Sequence, residues 1–350
     1  MPNGTCFDHR GSLGSTAFGL ALLCAIVTAK AEPSQELIAA AKKEGTVTWY
    51  TNLIVEQIVR PLGAAFEKKY GIKMAYWRGD GAELNLKLLG EARARRVQGD
   101  IYSIGIGVDS LIKAGVTEPY DPVNAKGFPA EYKDPAHHWI ASNIYINTPG
   151  YNTSLVQKSE APRTYEALLD PKWKGKMAWK RNDISGAQGF IGNILSSMGE
   201  EKGIAYLRRL SEQNIISVNA SARAILDQVM AGEYPIALQI FNNHAEISAK
   251  KGAPVDWLPM EPVTVSLNII GLLRGGPSPN AGKLLIEFML SKEGQQVFRE
   301  RDYYPADPEV PAKIPDLLPA TGGFKGNVMS PAMIANGLDR WTRLYDELFK

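Results

Sequence analysis

The sequence predicts an α/β fold of two doubly wound lobes joined by crossing hinge strands. Three observations carry that expectation. Strand-like and helix-like runs alternate on both sides of a mid-chain stretch, giving one set of strand and helix units before it and a second set after it. That stretch, Trp139-Ile-Ala-Ser-Asn-Ile-Tyr-Ile-Asn147, alternates small polar with large apolar residues and is backed by Thr148-Pro149-Gly150, so it reads as a strand crossing between lobes with a turn behind it. The runs Val255 to Pro259 and Val263 to Leu273 supply a return crossing, without which the C-terminal helices lack a sheet. The expected division is residues 32–142 plus 266–350 in the first lobe and 143–265 in the second, with a cleft beside the crossing.

Composition bounds the function classes. The chain has 350 residues, 45% hydrophobic and 22% charged, enough to bury two ordinary cores. Its 39 basic and 37 acidic residues leave a formal charge of +2, spread along helices without a basic block, so nucleic acid is not an expected partner. Residues 1–31 read as a secretory signal: Arg10 gives a positive start, Leu13 to Val27 is apolar or small, and Ala29-Lys30-Ala31 fits an Ala-x-Ala cleavage site. The apolar run is short and glycine-rich for a membrane span, and Leu23 stands where a lipid-modified Cys24 would need a small residue before it. Both cysteines, Cys6 and Cys24, fall in this segment, so a mature chain from Glu32 has no disulfide, thiolate metal site or cysteine nucleophile. The expected compartment is the bacterial periplasm, and the expected state a monomer.

Taken in order, Pro33 to Glu44 has helical spacing and closes on Gly45; Thr46 to Tyr50 is a strand; and a helix carrying Ile58, Val59, Leu62 and Phe66 runs to Tyr70-Gly71. Thr51 and Asn52 therefore stand at a strand's carboxyl end beside a helix start, where open α/β sheets bind ligands, although the same residue types are preferred caps. Ile72 to Trp77 is the second strand, and Arg78-Gly-Asp-Gly-Ala82 leads into a helix from Glu83 to Arg96; Arg78 suits an anionic group or a partner in Asp80. A short buried strand before Gly107 and a helix from Val108 to Ala114 follow. Gly105-x-Gly107 lacks the third glycine of a dinucleotide fingerprint.

Past the crossing, Pro162 to Asp170 reads as a helix stopped by Pro171, Met177 to Lys180 as a strand, and Ala187 to Met198 and Glu200 to Gln213 as helices. Asp183 and Ser185 lie at the first of these helix entrances, as caps or ligand contacts. Ile215 to Val218 is a strand, and Asn219-Ala-Ser-Ala-Arg223 opens a helix whose first turn, with Ser221 and Arg223, can hold a carboxylate or phosphate. The strand Tyr234 to Phe241 ends in Asn242-Asn243-His244, three hydrogen-bonding side chains that bind a ligand or tie down a turn. Asn280 to Leu290, Glu293 to Glu300 and Ile334 to Leu348 are closing helices, with a proline-rich stretch from Pro308 wrapping the first lobe.

An enzyme would need a paired nucleophile and base or a metal cluster. With Cys and His9 lost to the signal, only His137, His138 and His244 remain, and no His-Glu-x-x-His or Gly-x-Ser-x-Gly pattern is present.

The order of elements, together with Gly45-Thr-Val-Thr-Trp-Tyr50, Phe66-Glu-Lys-Lys-Tyr-Gly-Ile72, Leu168-Leu-Asp-Pro-Lys-Trp-Lys-Gly-Lys176, Ala231-Gly-Glu233, Asn242-Asn243 and Ser291-Lys-Glu-Gly-Gln-Gln296, resembles the periplasmic solute-binding proteins of ABC importers, in particular the branch containing ferric-iron binders. The resemblance spans nearly all of residues 32–350. It implies the type II periplasmic binding fold, a solute buried between lobes, hinge closure, and a membrane permease as partner; a membrane sensor kinase is the alternative partner. Iron-binding relatives place a tyrosine pair directly after the Asn-Asn, where this chain has His244-Ala245, and their first-lobe histidine and glutamate fall near Ile54 and Ala82, with Glu83 one residue away. A hard ferric ion needs anionic oxygen ligands. The expected cargo is therefore a small organic anion held by hydroxyls, amides and arginines, with iron as the alternative and no cofactor.

Overall fold

The computed structural model describes residues 32–181 and 184–350, so the signal expected in residues 1–31 lies outside the described residues, as does Asp183. Residues Glu32–Lys350 form one compact unit.

The first elements follow the sequence closely. Helix α1 (Gln35–Glu44) starts where the Ser34 hydroxyl accepts the Leu37 N–H and ends where Gly45 turns left-handed at φ 71°, a conformation that costs glycine little. Strand β1 (Thr46–Thr51) leads to one π-type turn (Val55–Val59) and helix α2 (Arg60–Tyr70). Strand β2 (Lys73–Arg78), helix α3 (Gly81–Arg93), strand β3 (Ile101–Ile104) and helix α4 (Val108–Lys113) complete this run. Strands β2, β1 and β3 are parallel neighbours, so the starts of their following helices gather at one end of the sheet.

After the short β4 (Thr117–Glu118) comes β5 (Ile140–Asn152), buried almost throughout. It runs straight through Thr148-Pro149-Gly150, which was expected to be a turn. Pro149 has no N–H to give, and the strand absorbs it by slipping register between Thr148 and Gly150, where proline is tolerated. Residues 162–170, expected to be a helix, form only a single 3-10 turn at Glu166–Leu169, followed by another at Pro171–Trp173, because Pro162 and Pro171 leave too little uninterrupted chain. Next come β6 (Met177–Lys180), α5 (Ala187–Met198), α6 (Glu200–Ser211), β7 (Ile216–Val218), α7 (Ala222–Ala231), β8 (Ile236–Phe241) and α8 (Asn242–Lys250).

Strands β9 (Val255–Trp257) and β10 (Val263–Leu273) return the chain. Helices α9 (Pro279–Leu290) and α10 (Lys292–Glu300), strand β11 (Tyr304–Pro305), the short α11 (Pro319–Gly322), strand β12 (Gly326–Met329) and helix α12 (Pro331–Phe349) complete it.

The main path of the sheet runs β2-β1-β3-β10-β5-β8-β6-β7, with β4 and β12 also on β10 and β9 and β11 also on β5. Its two wings are parallel, while β10 and β5 pair antiparallel in the middle, from Thr264 opposite Asn147 to Ile270 opposite Ile140. One large core joins residues 41–146 to 263–324 through Trp49, Phe66, Tyr102 and Phe288. Two others lie on the β8-β6-β7 side: Trp179, Phe190 and Tyr345 belong to one, Ile225 and Ile240 to the other. Helix α12 packs in the Trp179 core, with Trp341 against Gly192 of α5 and the Tyr345 hydroxyl donating to Ser217.

Candidate functional site

A cavity of about 500 Å³ opens where strands from both wings end. Its wall is drawn from the segment after β1 (Asn52, Leu53, Ile54, Gln57), the start of α3 (Asp80 to Ala82), the residues after β3 (Gly105, Ile106), and the middle of the crossing strands (Tyr145; Ser266 to Asn268). Lys180, Ile184 and Ser185 around the β6–α5 entrance, Phe241, Asn243 and His244 at β8–α8, Tyr303 before β11 and Ile334 of α12 complete it. Several strand carboxyl ends thus converge with helix starts, the arrangement that positions ligands in open α/β sheets.

Four residues singled out from sequence line this cavity: Asn52, Ser185, Asn243 and His244. The others have different surroundings. Thr51 is fully buried, its hydroxyl 2.7 Å from Ser103 Oγ and accepting the Leu53 N–H, so it caps the turn after β1. Arg78 is exposed at the end of β2, and Asp80, considered as its partner, instead accepts the N–H groups of Ala82 and Glu83 while Glu83 accepts that of Asp80. Asn219 is exposed, and Ser221 caps α7 by accepting the Ala224 N–H. Arg223 bonds Asp227 at 3.0 Å on its own helix and Ser248 of α8 at 3.2 Å, and is not among the described lining residues of the cavity. Asn242 is buried between Leu317, whose carbonyl its Nδ2 reaches at 2.8 Å, and the Tyr304 hydroxyl, which donates to its Oδ1.

The polar lining is unevenly satisfied. Asn268 Nδ2 donates to Asn52 Oδ1 at 3.0 Å, Ser266 Oγ donates to Asn147 Oδ1 at 2.8 Å, and Gln57 Nε2 donates to the Arg301 carbonyl at 2.9 Å. Asn243 Nδ2 donates to the Asp302 carbonyl at 2.9 Å, which fixes the amide's orientation, yet its Oδ1 is buried without a partner among the described residues. His244 Nδ1 is likewise buried and has no partner among the described residues. Burial, reinforced by the positive charge of Arg223, brings the His244 pKa down to about 4, so the ring is neutral at pH 7 and offers one donor and one acceptor.

Sequence reading missed the aromatic part of the wall. Tyr145 lies on the crossing strand with its ring centroid 5.0 Å from Phe241 and 6.0 Å from Tyr303, and Phe241 meets His244 edge-on at 5.3 Å. Burial raises both phenols, Tyr303 to about 12 and Tyr145 well above its ordinary value, so both stay protonated at pH 7. The alternation in Ser142 to Asn147 was a usable signal for Tyr145, whereas nothing local marked Tyr303, which reaches the site through β11 pairing with β5. Ile54 and Ala82, where the resemblance puts metal-binding side chains of iron binders, do line the cavity, and the neighbouring Glu83 carboxylate is engaged in capping α3.

Comparison with known proteins gives a consistent picture. A family model described as bacterial extracellular solute-binding protein matches residues 107–321. Iron uptake protein A1 of Synechocystis is 22% identical over 302 residues, 82% of each chain. A putative 2-aminoethylphosphonate-binding periplasmic protein of Salmonella typhimurium is 30% identical over 154 residues, 41% of this chain and 44% of its own. Among solved structures, the Trichodesmium protein IdiA (FutA) in complex with iron and citrate superposes with a TM-score of 0.73 at 20% identity, over 87% of this chain and all of its own.

Proposed function

The chain belongs to the family of bacterial extracellular solute-binding proteins and has the type II periplasmic binding fold, and on that premise we propose that it captures a small organic solute in the cavity between two lobes. It delivers that solute to the permease of an ABC importer, and it works as a monomer in the periplasm after removal of residues 1–31. The lobes are the β2-β1-β3 wing with β10, and the β8-β6-β7 wing with β5. Helix α12 rides with the second of these, since its apolar face is buried there.

The observation that carries this reading is the pairing of a roomy cavity with two buried, unpartnered acceptor or donor atoms, Asn243 Oδ1 and His244 Nδ1. A buried polar atom without a partner costs roughly 1–3 kcal/mol, and a bound solute that pairs with it recovers that amount. Lys180 and Asp80, a cation and a carboxylate, both stand in the described wall, and Lys180 suits an anionic group on the solute. The 2-aminoethylphosphonate named for one relative carries an anionic phosphonate together with an ammonium.

Iron is the second reading, favoured by the neighbouring phenols Tyr145 and Tyr303 and by the iron-related names among the relatives. A ferric ion would need further anionic oxygens beside the two phenols, and the neighbouring Glu83 carboxylate is engaged in capping α3. A thermal-shift screen of the metal-free protein against carboxylates, phosphorylated compounds, amines, sugars and ferric citrate separates the two, since a ligand that binds only the folded state raises its melting temperature. Stabilisation by one organic class is expected. Stabilisation by ferric citrate alone, with a visible phenolate-to-iron absorption band, would replace the organic reading by the iron one.

A further inference from the structure

Resting on the solute-binding reading, the geometry points to a narrower class of cargo: a cyclic polyol such as a sugar, recognised through hydroxyl groups that donate to Gln57 Oε1 and Asn243 Oδ1. The first argument is how those two amides are held. Gln57, in the turn after β1, donates its Nε2 to the Arg301 carbonyl at 2.9 Å. Asn243, at the start of α8, donates its Nδ2 to the next carbonyl, that of Asp302, also at 2.9 Å. Two side chains from opposite wings of the sheet are thus tied to consecutive carbonyls just before Tyr303, and all three residues line the same cavity. Each bond commits the amide nitrogen and leaves the oxygen, which only accepts. Neither oxygen has a partner among the described residues, and Asn243 Oδ1 is buried.

The second argument is the rest of the uncommitted wall. Asp80 caps α3 through Oδ1, which leaves Oδ2 as a further acceptor, whereas Asn52 gives Oδ1 to Asn268 and keeps Nδ2 as a donor. A carboxylate or phosphate only accepts, and would set lone pairs against the oxygens of Gln57, Asn243 and Asp80. An ammonium only donates, and leaves Asn52 Nδ2 unmet. A hydroxyl does both, so a ring bearing several of them suits both kinds of atom. Charge does not decide the class, because Lys180 is engaged within the protein and Asp80 stands in the same wall.

The third argument is the platform beside these groups. The ring of Tyr145 lies 5.0 Å from that of Phe241 and 6.0 Å from that of Tyr303, centroid to centroid, and all three line the cavity. An aromatic face is partly negative and attracts the C–H face of a sugar ring, which leaves the hydroxyls along the sugar's rim free to reach polar side chains. Tyr303 follows directly on the two carbonyls that hold Gln57 and Asn243, so platform and acceptor pair adjoin.

The test uses the purified chain, dialysed free of ligand, in a thermal-shift screen followed by calorimetric titration. The probes are free hexoses and pentoses, myo-inositol, a hexose phosphate, benzoate, aminoethylphosphonate and ferric citrate. At least one uncharged sugar or inositol is expected to raise the melting temperature, and deoxy analogues lacking one of its paired hydroxyls to bind tenfold or more weakly, because they leave an acceptor unmatched. Gln57→Met, which keeps the side-chain length without its polar atoms, and Asn243→Leu should each weaken that binding tenfold or more. Circular dichroism verifies folding, and Gln57→Met alone suffices if the Asn243 variant does not fold. Binding confined to hexose phosphate, benzoate or aminoethylphosphonate, or sugar affinity unchanged in Gln57→Met, overturns this assignment while leaving the solute-binding reading in place. Stabilisation by ferric citrate alone, or by none of the probes, overturns both.

Discussion

Asn243 and Arg223 were equally attractive from sequence, one at a strand end and one in a first helical turn, and the structure gives them different surroundings. Asn243 lines the cavity with an unpaired Oδ1, whereas Arg223 is engaged with Asp227 and Ser248 outside it. Asn243→Ala is therefore expected to weaken solute binding by about 1–2 kcal/mol, a factor of roughly ten, as read by calorimetry. Arg223→Ala, which breaks an exposed pair, should change affinity and stability by less than about 1 kcal/mol. Equal losses in the two variants would extend the binding surface to the Arg223 side chain between α7 and α8. His244 makes a separate prediction in pH. Its folded pKa of about 4 lies below the ordinary 6.5, so between those values the unfolded chain binds a proton that the folded chain refuses. Its contribution is present in full above pH 6.5 and is lost as pH falls toward 4, to a total of about 3 kcal/mol at most. Urea midpoints measured from pH 4 to 7 should fall on acidification, and less steeply in His244→Gln; parallel slopes would assign the effect to other groups.

At the scale of elements, the entrance to α5 shows how a helix start is made into a binding surface. A Cβ on Gly189 would lie 1.8 Å from the Ile184 carbonyl oxygen, and one on Gly186 2.4 Å from that of Lys180. These glycines let the chain fold back tightly enough for Lys180, Ile184 and Ser185 all to reach the cavity. Gly189→Ala must push that turn outward, at a cost of about 1–3 kcal/mol in urea unfolding and with weakened solute binding. A variant of unchanged stability and affinity would mean the turn is freer than its packing requires. The same comparison shows what was legible in the sequence. Residue type and spacing located α1, β1, β2, α5 and β10: β10 and α5 are apolar nearly all round because they are buried on every side, β1 and β2 are rich in β-branched or aromatic residues, and caps such as Ser34 and Gly45 marked the ends of α1. Thr148-Pro149-Gly150 misled because its local chemistry is that of a turn, while pairing on both sides of β5 holds it extended. Tyr303 and Ile334 reach the site only through long-range packing of β11 and α12, for which no local pattern exists. Thr51, Ser221 and Asn242 are polar residues at element ends whose own caps and turns already use them, a role sequence alone does not separate from ligand contact.

At the scale of the whole molecule, the crossing strands decide how the protein can move. The two wings of the sheet meet through the β5–β10 ladder, and the strands of that ladder carry register slips, at Thr148/Gly150 on β5 and at Asn268/Ile269 on β10. A slip removes regular ladder bonds and concentrates bending at one place, and we propose these two points as the hinge of the lobe closure. A solute touching both wings, Asn52 on one and Asn243 on the other, gains contacts only when they approach, and its differential affinity then favours the closed form. Small-angle scattering should accordingly show a smaller radius of gyration when the best ligand of the thermal-shift screen is added at saturation. Superimposable curves with and without a tightly bound ligand would mean that the cavity accepts solute without closing, and that the permease recognises something other than a change of lobe angle.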